Sequence, residues 1–293
     1  MPLISVVIPA YNAADCVGRA VEAVLAQTMD AFEIIVSDDG STDQTKQAVG
    51  RYRSDPRLRY IRNANGGPSY AKNRAAELCT GEFVLFLDAD DSLAPTALET
   101  LYHRFKRAGA SWGIVGVLKV EGSRKTVRPA WVPEGDFLLS LLEDDIVSRS
   151  PFYPLKEFMS IGMYDEGLLT REDWDINIRM AAAERPYVVI DEPLYVYTRT
   201  EGSLTTGNRR RVLLCTEKLL CKHHKRLADA GDERIARIYA SNMWDLARSY
   251  VYELKDRREA LRCMRESLRY DKSVYRLVHP VIHRFNAVAR RWS

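Results

Sequence analysis

Short apolar runs alternate with amphipathic stretches along the first hundred residues. Apolar runs bounded by turns predict buried strands at Ile4–Pro9, Phe32–Ser37, Leu58–Ile61 and Phe83–Leu87. Between them, apolar residues at helical spacing predict helices at Val17–Ala26, Thr42–Tyr52 and Ser69–Leu78. This alternation with short connections favours an α/β fold, in which a mainly parallel sheet is flanked on both faces by helices.

The pattern continues less regularly and then changes. A helix should follow Pro95, Val120–Pro133 is a hairpin or an excursion, and the other elements are predicted at Trp112–Leu118, Asp136–Leu142, Glu172–Ala183, Tyr187–Ile190 and Leu194–Tyr197. Beyond Gly207 the chain is charged and helical, with helices predicted at Arg209–Lys225, Glu233–Lys255 and Arg257–Tyr270. We therefore expect an α/β domain at 1–206 and a smaller, all-helical C-terminal domain at 207–293.

Charge divides at the same point. Residues 207–293 carry 21 Lys/Arg and 10 Asp/Glu, a net charge of +11, whereas the first 206 residues carry 22 and 30, a net charge of −8. A basic segment of this kind suits an acidic partner such as phospholipid, nucleic acid or a phosphorylated substrate. A soluble, charged helical bundle explains it equally well.

The last twenty residues contain an apolar stripe at helical spacing. It includes Val278, Ile282, Phe285 and Trp292, with Arg and His at other positions. Such a basic helix can lie on an anionic membrane surface. It can equally pack on the helical domain or on a second subunit. A homo-oligomer is therefore one of the alternatives.

The cysteine content and the N-terminal sequence bear on whether the protein is cytoplasmic or secreted. The five cysteines are odd in number and form no Cys-x-x-Cys pair, which argues against a disulfide framework and a zinc site. No apolar stretch approaches the ~20 residues that span a bilayer, and the chain enters its first strand without a signal-peptide pattern. We expect a cytoplasmic protein, with peripheral attachment to the inner face of the cell membrane as the alternative.

An acidic run, Asp88-Ala89-Asp90-Asp91, follows the apolar run at Phe83–Leu87. The carboxyl ends of strands in open α/β sheets are where ligands bind. Three neighbouring carboxylates repel one another, and a hard divalent ion that also binds substrate phosphates would relieve this repulsion. The alternative is a helix N-terminus, where Asp is favoured by the exposed N–H groups.

Three further motifs follow the other predicted strands in order. They are Pro9-Ala10-Tyr11-Asn12, the turn Ser37-Asp38-Asp39-Gly40-Ser41-Thr42-Asp43, and Asn65-Gly66-Gly67-Pro68-Ser69 leading to Lys72-Asn73. Together with the acidic run, this series resembles the nucleotide-sugar glycosyltransferases of family 2, whose catalytic domain has the GT-A fold. The resemblance covers about residues 1–206, and its specificity lies in the shared order, because each motif alone is weak.

The resemblance implies a donor site. Tyr11 would stack on a uracil-like base beside the backbone of Pro9 and Ala10, unless it is a core aromatic at a strand end. Asp39 would accept a hydrogen bond from the base, while Asp38 would orient the loop. Lys72 stands where the family usually has Arg, so it would contact the nucleotide as a point charge.

The resemblance also implies a metal. Asp88-Ala89-Asp90 matches the family's Asp-x-Asp motif, in which Asp90 would bind Mn²⁺ or Mg²⁺ bridging the diphosphate. Asp88 would bind the ribose or the same ion. Many members have a metal-ligating His where this chain has Thr200, and Arg199 would contact the diphosphate instead.

Arg171-Glu172-Asp173-Trp174-Asp175 resembles the family's Glu-Asp motif at the start of a helix. Asp173 would then be the general base, because a sugar hydroxyl becomes a good nucleophile only as its proton is removed. Glu172 and Trp174 would lie on the acceptor side. The alternative is that these acids only balance the helix dipole.

These expectations describe an inverting glycosyltransferase. It would move a sugar from a nucleoside diphosphate, most simply UDP, to a hydroxyl of a glycan or lipid-linked glycan in polysaccharide biosynthesis, and would not bind nucleic acid. Two competing interpretations are a catalytically degenerate nucleotide-binding scaffold and a metal-dependent nucleotidyltransferase. The lack of a Gly-rich phosphate loop after the first strand disfavours the nucleotidyltransferase.

Overall fold

The computed structural model describes residues 2–147, 150–199 and 208–274. Two compact units are present: the first comprises residues 1–141 and 145–207, and the second comprises 142–144 and 208–293. The domain boundary predicted at residues 206 and 207 lies outside the described residues. The same is true of the apolar stripe at the end of the chain and of Thr200.

The first unit is built on a five-stranded sheet. Its strands are β1 (Ile4–Ala10), β2 (Phe32–Asp38), β3 (Leu58–Arg62), β4 (Phe83–Phe86) and β8 (Phe152–Pro154), in the order β3-β2-β1-β4-β8. The first four strands are parallel and β8 is antiparallel to β4. Strands β1 and β2 are buried on both faces, which explains their almost unbroken apolar sequences. The predicted α/β class is confirmed.

Seven helices belong to the part of the first unit that the structure describes, and all but α6 lie near positions predicted from the sequence. They are α1 (Val17–Leu25), α2 (Thr45–Gly50), α3 (Pro68–Ala76), α4 (Ala97–Ala108), α5 (Phe137–Glu143), α6 (Leu155–Ser160) and α7 (Glu172–Ala182). Helix α1 buries Val17, Ala20, Val21 and Val24, which recur at helical spacing. Pro68 begins α3 at a position where its missing N–H is not needed. Helix α2 is shorter than predicted because residues 42–44 form the turn that precedes it.

A second sheet stands beside the first. Its order is β5 (Ser92–Leu93), β9 (Tyr187–Thr198), β6 (Trp112–Glu121) and β7 (Arg124–Arg128). Strands β6 and β7 form an antiparallel hairpin, and β9 pairs parallel to β6 and antiparallel to β5. The hairpin interpretation of Val120–Pro133 is therefore the correct one.

The two strands predicted at Tyr187–Ile190 and Leu194–Tyr197 are one strand with a bulge. Pairing with β6 shifts register between Val115 and Val117. A Cβ at position 116 would lie 2.4 Å from the carbonyl oxygen of Asp191. The backbone of the bulge therefore packs directly against Gly116, where a side chain would not fit. The polar interruption that suggested a loop is this bulge.

Three short elements escaped the sequence analysis. Strands β5 and β8 have two and three residues, and α6 has six. Segments this short do not show a period, and tertiary pairing creates them. They matter because β5 connects the acidic run to β9, and β8 extends the first sheet beyond β4.

The second unit is helical, as expected. It contains α8 (Arg209–Leu220), a π-helical turn at Cys221–Lys225, α9 (Arg226–Asp229), α10 (Glu233–Tyr252) and α11 (Arg257–Tyr270). Its core includes Leu213, Tyr239, Trp244, Tyr250 and Met264. In the part of the chain that the structure describes, none of the helices has the length and apolarity required to cross a membrane.

A buried histidine lies in the π-helical turn. His224 is fully buried, and one of its ring nitrogens, Nε2, lies 2.6 Å from the carbonyl oxygen of Leu142 in the same unit. Burial lowers the pKa of His224 to about 4 because the charged imidazolium is poorly solvated there. The native state therefore holds this ring neutral.

The buried histidine makes the unit sensitive to acid. Below the ordinary pKa of about 6.5 the unfolded chain binds a proton that the native His224 does not, so stability falls as the pH decreases towards 4. Between pH 7.5 and pH 5 the wild type should lose about 2 kcal/mol more unfolding free energy than His224→Gln, which keeps a donor but does not titrate. Urea unfolding of both proteins at the two pH values measures this difference. Equal losses in both would show that His224 is not the acid-sensitive group.

Candidate functional site

The loops that carry the sequence motifs meet at one edge of the first sheet. The strand order reverses between β1 and β4, since β2 and β3 lie on one side of β1 and β4 lies on the other. Ligands bind at the carboxyl ends of strands at such a point. Pro9 and Ala10 end β1 there, and Tyr11 follows with 52% of its side-chain surface exposed. Tyr11 is therefore not a core aromatic.

Asp39, which follows β2, holds the loop before α3. Its two carboxylate oxygens accept hydrogen bonds of 2.8 Å from the backbone N–H groups of Gly66 and Gly67. Burial raises the pKa of Asp39, and these two N–H groups act against that effect. Gly67 has φ +94°, a conformation that favours glycine. The carboxylate of Asp39 thus joins the turn after β2 to the paired glycines before α3.

Asp38 fixes the turn itself. Its carboxylate accepts a 2.7 Å hydrogen bond from the backbone N–H of Ser41 and a second bond from the Tyr60 hydroxyl. Asp38 is almost completely buried. These contacts are those of a residue that orients its loop.

The acidic run after β4 is tied to the second sheet. Asp91, 2% exposed, accepts hydrogen bonds of 2.8 Å from the Tyr195 hydroxyl and from the Thr198 backbone N–H. The same hydroxyl accepts a 3.2 Å bond from the Asp88 backbone N–H. Tyr195 therefore bridges the first and last aspartates of the turn, and Asp91 serves as its anchor.

Asp88 and Asp90 differ from Asp91 in exposure. The Asp88 side chain is 32% exposed and Asp90 is half-buried, while Ala89 between them is buried. Among the described residues, no group of three or more His, Cys, Asp or Glu side chains could hold a metal ion by itself. Two hard oxygen donors with solvent access nevertheless suit a divalent ion that takes its remaining ligands from phosphates and water.

Lys72 of α3 lies beneath these aspartates. Its Nζ atom is 2.9 Å from Oε1 of Glu172 and 3.7 Å from Oδ1 of Asp88, and it lies 5.0 Å from the centre of the Tyr164 ring. Burial alone would lower the pKa of Lys72, but the charges of Glu172, Asp88 and Asp173 outweigh it and raise the pKa. The side chain is only 3% exposed, and its ammonium contacts protein carboxylates; the contact of Lys72 with the nucleotide stays a prediction.

The first turn of α7 carries the predicted base. Asp173 lines a small pocket together with Lys72, Asp88, Tyr164 and Tyr195. Asp175 in the same turn is fully buried and forms an ion pair with Arg179 at 2.8 Å. Asp173 and Asp175 thus have different surroundings, and Asp173 is the one that faces the pocket.

Two buried tyrosines stand beside Asp173. Among the residues that the structure describes, neither the Tyr153 nor the Tyr164 hydroxyl has a partner at normal hydrogen-bond distance and angle. Burial raises the pKa of both hydroxyls, and the negative charge of Asp173 adds to this effect. The hydroxyls therefore remain protonated and can donate.

Two predicted site residues lie elsewhere. Trp174 was expected on the acceptor side, but its ring is 4% exposed and its indole N–H donates to the Leu141 carbonyl oxygen at 2.6 Å. Arg199 was expected at the diphosphate, but its guanidinium pairs with Glu121 at 2.8 Å and is absent from the pocket lining. Helical geometry accounts for Trp174, since residues 173 and 174 point in different directions around α7.

Tyr195 and Tyr164 were not predicted as site residues. Tyr195 belongs to an apolar-looking strand, in which an aromatic residue is normally assigned to the core. Tyr164 lies in Gly162-Met163-Tyr164-Asp165-Glu166, a stretch that the family resemblance places beside the acceptor without assigning a role to the tyrosine. The available signal was their hydroxyl groups, because a buried tyrosine usually needs a hydrogen-bond partner.

Comparison with known proteins identifies relatives. Residues 5–158 match the family model described as glycosyl transferase family 2. Poly(ribitol-phosphate) beta-N-acetylglucosaminyltransferase TarP from Staphylococcus aureus is 32% identical over 159 residues, which are 53% of this chain and 47% of TarP. The chain spans about half, or less, of the length of the first curated relatives that it matches.

Two solved structures share the fold. S. aureus TarS 1–349 in complex with UDP-GlcNAc has a TM-score of 0.67 and 22% identity, over 92% of this chain and 80% of that one. The mannosyltransferase PcManGT from Pyrobaculum calidifontis, in complex with GDP-Man and Mn²⁺, has a TM-score of 0.60 and 16% identity, over 99% and 83% of the two chains. The predicted GT-A type of fold is confirmed.

The bridging role of Tyr195 can be tested by removing its hydroxyl. Tyr195→Phe leaves the buried Asp91 carboxylate with one hydrogen bond fewer, and we expect it to lower the free energy of unfolding by about 1–3 kcal/mol. Tyr187→Phe, on the same strand but 41% exposed, should change it by less than about 0.5 kcal/mol. Chemical unfolding of both variants measures the difference. If the two substitutions have equal effects, the Tyr195 bridge contributes nothing to stability.

Proposed function

Because this chain belongs to glycosyl transferase family 2, we propose that it is an inverting glycosyltransferase that moves a sugar from a UDP-linked donor to a hydroxyl of a glycan acceptor. The observation that carries the proposal is the pocket in which Asp88, from the Asp-x-Asp strand end, and Asp173, from α7, share one wall. A carboxylate beside the proposed diphosphate position and a proton acceptor would then belong to one site.

The donor would bind along the loops after β1 and β2. Exposed Tyr11 offers a face for stacking on the base, beside the backbone of Pro9 and Ala10. Asp39 is held in place by Gly66 and Gly67 and retains lone pairs for a base N–H. UDP-GlcNAc is the donor in the TarS complex, which supports a UDP-linked sugar here.

Asp90 and Asp88 would hold Mn²⁺ or Mg²⁺ at the diphosphate. When bound, such an ion supplies positive charge that stabilises the departing nucleoside diphosphate. The hard oxygen donors on the strand end fit this role, and the Mn²⁺ in the PcManGT complex supports it. Tyr195 and Asp91 would keep the backbone of this turn in position.

Asp173 would accept the proton of the acceptor hydroxyl as that oxygen attacks the anomeric carbon. The carbon–oxygen bond to the diphosphate breaks in the same step, so one carboxylate suffices and the configuration inverts. Protonated Tyr153 and Tyr164 near Asp173 would help to orient it. Glu172 would remain on the acceptor side. The acceptor would be a glycan or lipid-linked glycan, and the poly(ribitol-phosphate) in the name of TarP supports a polyhydroxyl acceptor.

The general base is tested with an isosteric substitution. Asp173→Asn cannot take the proton, and turnover should fall by about 10²–10⁴-fold. The affinity for UDP-GlcNAc, measured by calorimetry, should stay within a few-fold because the base does not hold the donor. Asp245→Asn, on the exposed face of α10, serves as the control and should be fully active. Near-normal turnover of Asp173→Asn would exclude Asp173 as the base.

The metal site is tested through donor binding. Asp90→Ala should abolish the increase in UDP-GlcNAc affinity that Mn²⁺ produces in the wild type, since the ion loses a protein ligand. Asp30→Ala is the matched control, because the Asp30 side chain is 97% exposed and Asp30 is far from Asp90 in the sequence. Titration calorimetry with and without Mn²⁺ measures both. Donor binding and transfer that proceed unchanged in the presence of chelator would indicate a metal-independent enzyme.

A further inference from the structure

The environment of Lys72 differs from that of a substrate-binding lysine. Lys72 lines the small pocket, but its side chain is only 3% exposed and its ammonium is engaged by protein carboxylates. Its closest partner is Glu172 at 2.9 Å, and Asp88 lies on another side at 3.7 Å. A buried ammonium is tolerated only when carboxylates of this kind compensate it.

The start of α7 is held by the Trp174 indole N–H, which donates to the Leu141 carbonyl oxygen at 2.6 Å, and by the Arg171–Asp145 ion pair at 3.4 Å. Glu172 is the first residue of this helix. The residue before it, Arg171, adopts the left-handed conformation with φ 71° and provides no side-chain cap. A non-glycine residue in this conformation is strained and needs surrounding contacts to hold it. The 2.9 Å contact from Lys72 to Glu172 is such a contact, and it lies one residue from Asp173.

Asp88 provides the second end of the connection. It begins the Asp-x-Asp motif in the turn after β4, whereas Glu172 begins the helix that carries Asp173. Lys72 is 100 residues from Glu172 in sequence, so this contact is purely tertiary. One buried cation therefore joins the donor side of the pocket to the acceptor side.

We propose that Lys72 is a positioning residue: through Glu172 it fixes the first turn of α7 so that Asp173 faces the pocket, and it is not a ligand of the donor. This inference rests on the proposed function and refines it. Misplacing a reacting group by about 1 Å can cost about 10²-fold in rate. Loss of Lys72 should therefore appear in turnover and leave donor affinity intact.

The two roles of Lys72 give different results in a double-mutant cycle. The proteins are the wild type, Lys72→Met, Glu172→Gln and the double variant, with Lys46→Met, an exposed lysine on α2, as control. UDP release from UDP-GlcNAc in the presence of Mn²⁺ gives kcat, and titration calorimetry gives the Kd of UDP-GlcNAc. Far-UV circular dichroism and thermal unfolding verify the fold of each variant.

A positioning role predicts coupled losses. Lys72→Met and Glu172→Gln should each lower kcat by about 10- to 100-fold, and the double variant should be no slower than the slower single variant, because both changes break one connection. The Kd of UDP-GlcNAc should remain within about threefold, and Lys46→Met should match the wild type. If Lys72→Met alone fails to fold, Glu172→Gln is compared with the double variant, in which no carboxylate is left unpaired at this contact.

A tenfold or greater rise in the Kd of UDP-GlcNAc on adding Lys72→Met, with kcat unchanged, would overturn the proposal and make Lys72 a donor ligand. Losses in kcat that multiply in the double variant would also overturn it. Failure of the proposed function is a different result, namely a folded wild type that neither binds UDP-GlcNAc nor releases UDP from it.

Discussion

The site depends on one buried positive charge among several negative ones. Asp88, which follows β4, and Asp173, in the first turn of α7, line the same pocket, and Lys72 supplies the cation between Asp88 and Glu172. Without it, carboxylates from two separate elements would repel each other in a partly dehydrated space. Its position on α3 is set by Pro68, by the glycines that Asp39 holds, and by the neighbouring Asn73, which bonds to Tyr164.

The acidic turn is held from a second side by the other sheet. Tyr195 and the backbone of Thr198 hold Asp91, the most buried aspartate of the turn. Asp38 and Asp39 hold the loop after β2 and the loop before α3 in the same way, because both are buried and accept backbone N–H bonds.

Much of the fold could be predicted because its signals are local. The strands at Ile4–Ala10 and Phe32–Asp38 are buried on both faces, and α1 shows a clear helical period, so neighbouring residues alone indicate them. The bulge opposite Gly116 could not be predicted, since it depends on the pairing of residues far apart in the chain. Strand β8 and helix α6 are too short to show a period and form only where β4 offers an edge.

The candidate site divides in the same way. The sequence by itself determined the family and the order of the motif loops, because residue type and spacing along the chain are sufficient for this. Only the tertiary structure decided that Lys72 faces Glu172 instead of solvent, that Trp174 is buried, that Arg199 pairs with Glu121 and that Tyr195 bridges Asp88 and Asp91. These outcomes depend on the direction of each side chain and on partners that lie 33 to 107 residues away in the chain. Spacing along the chain carries no information on such contacts.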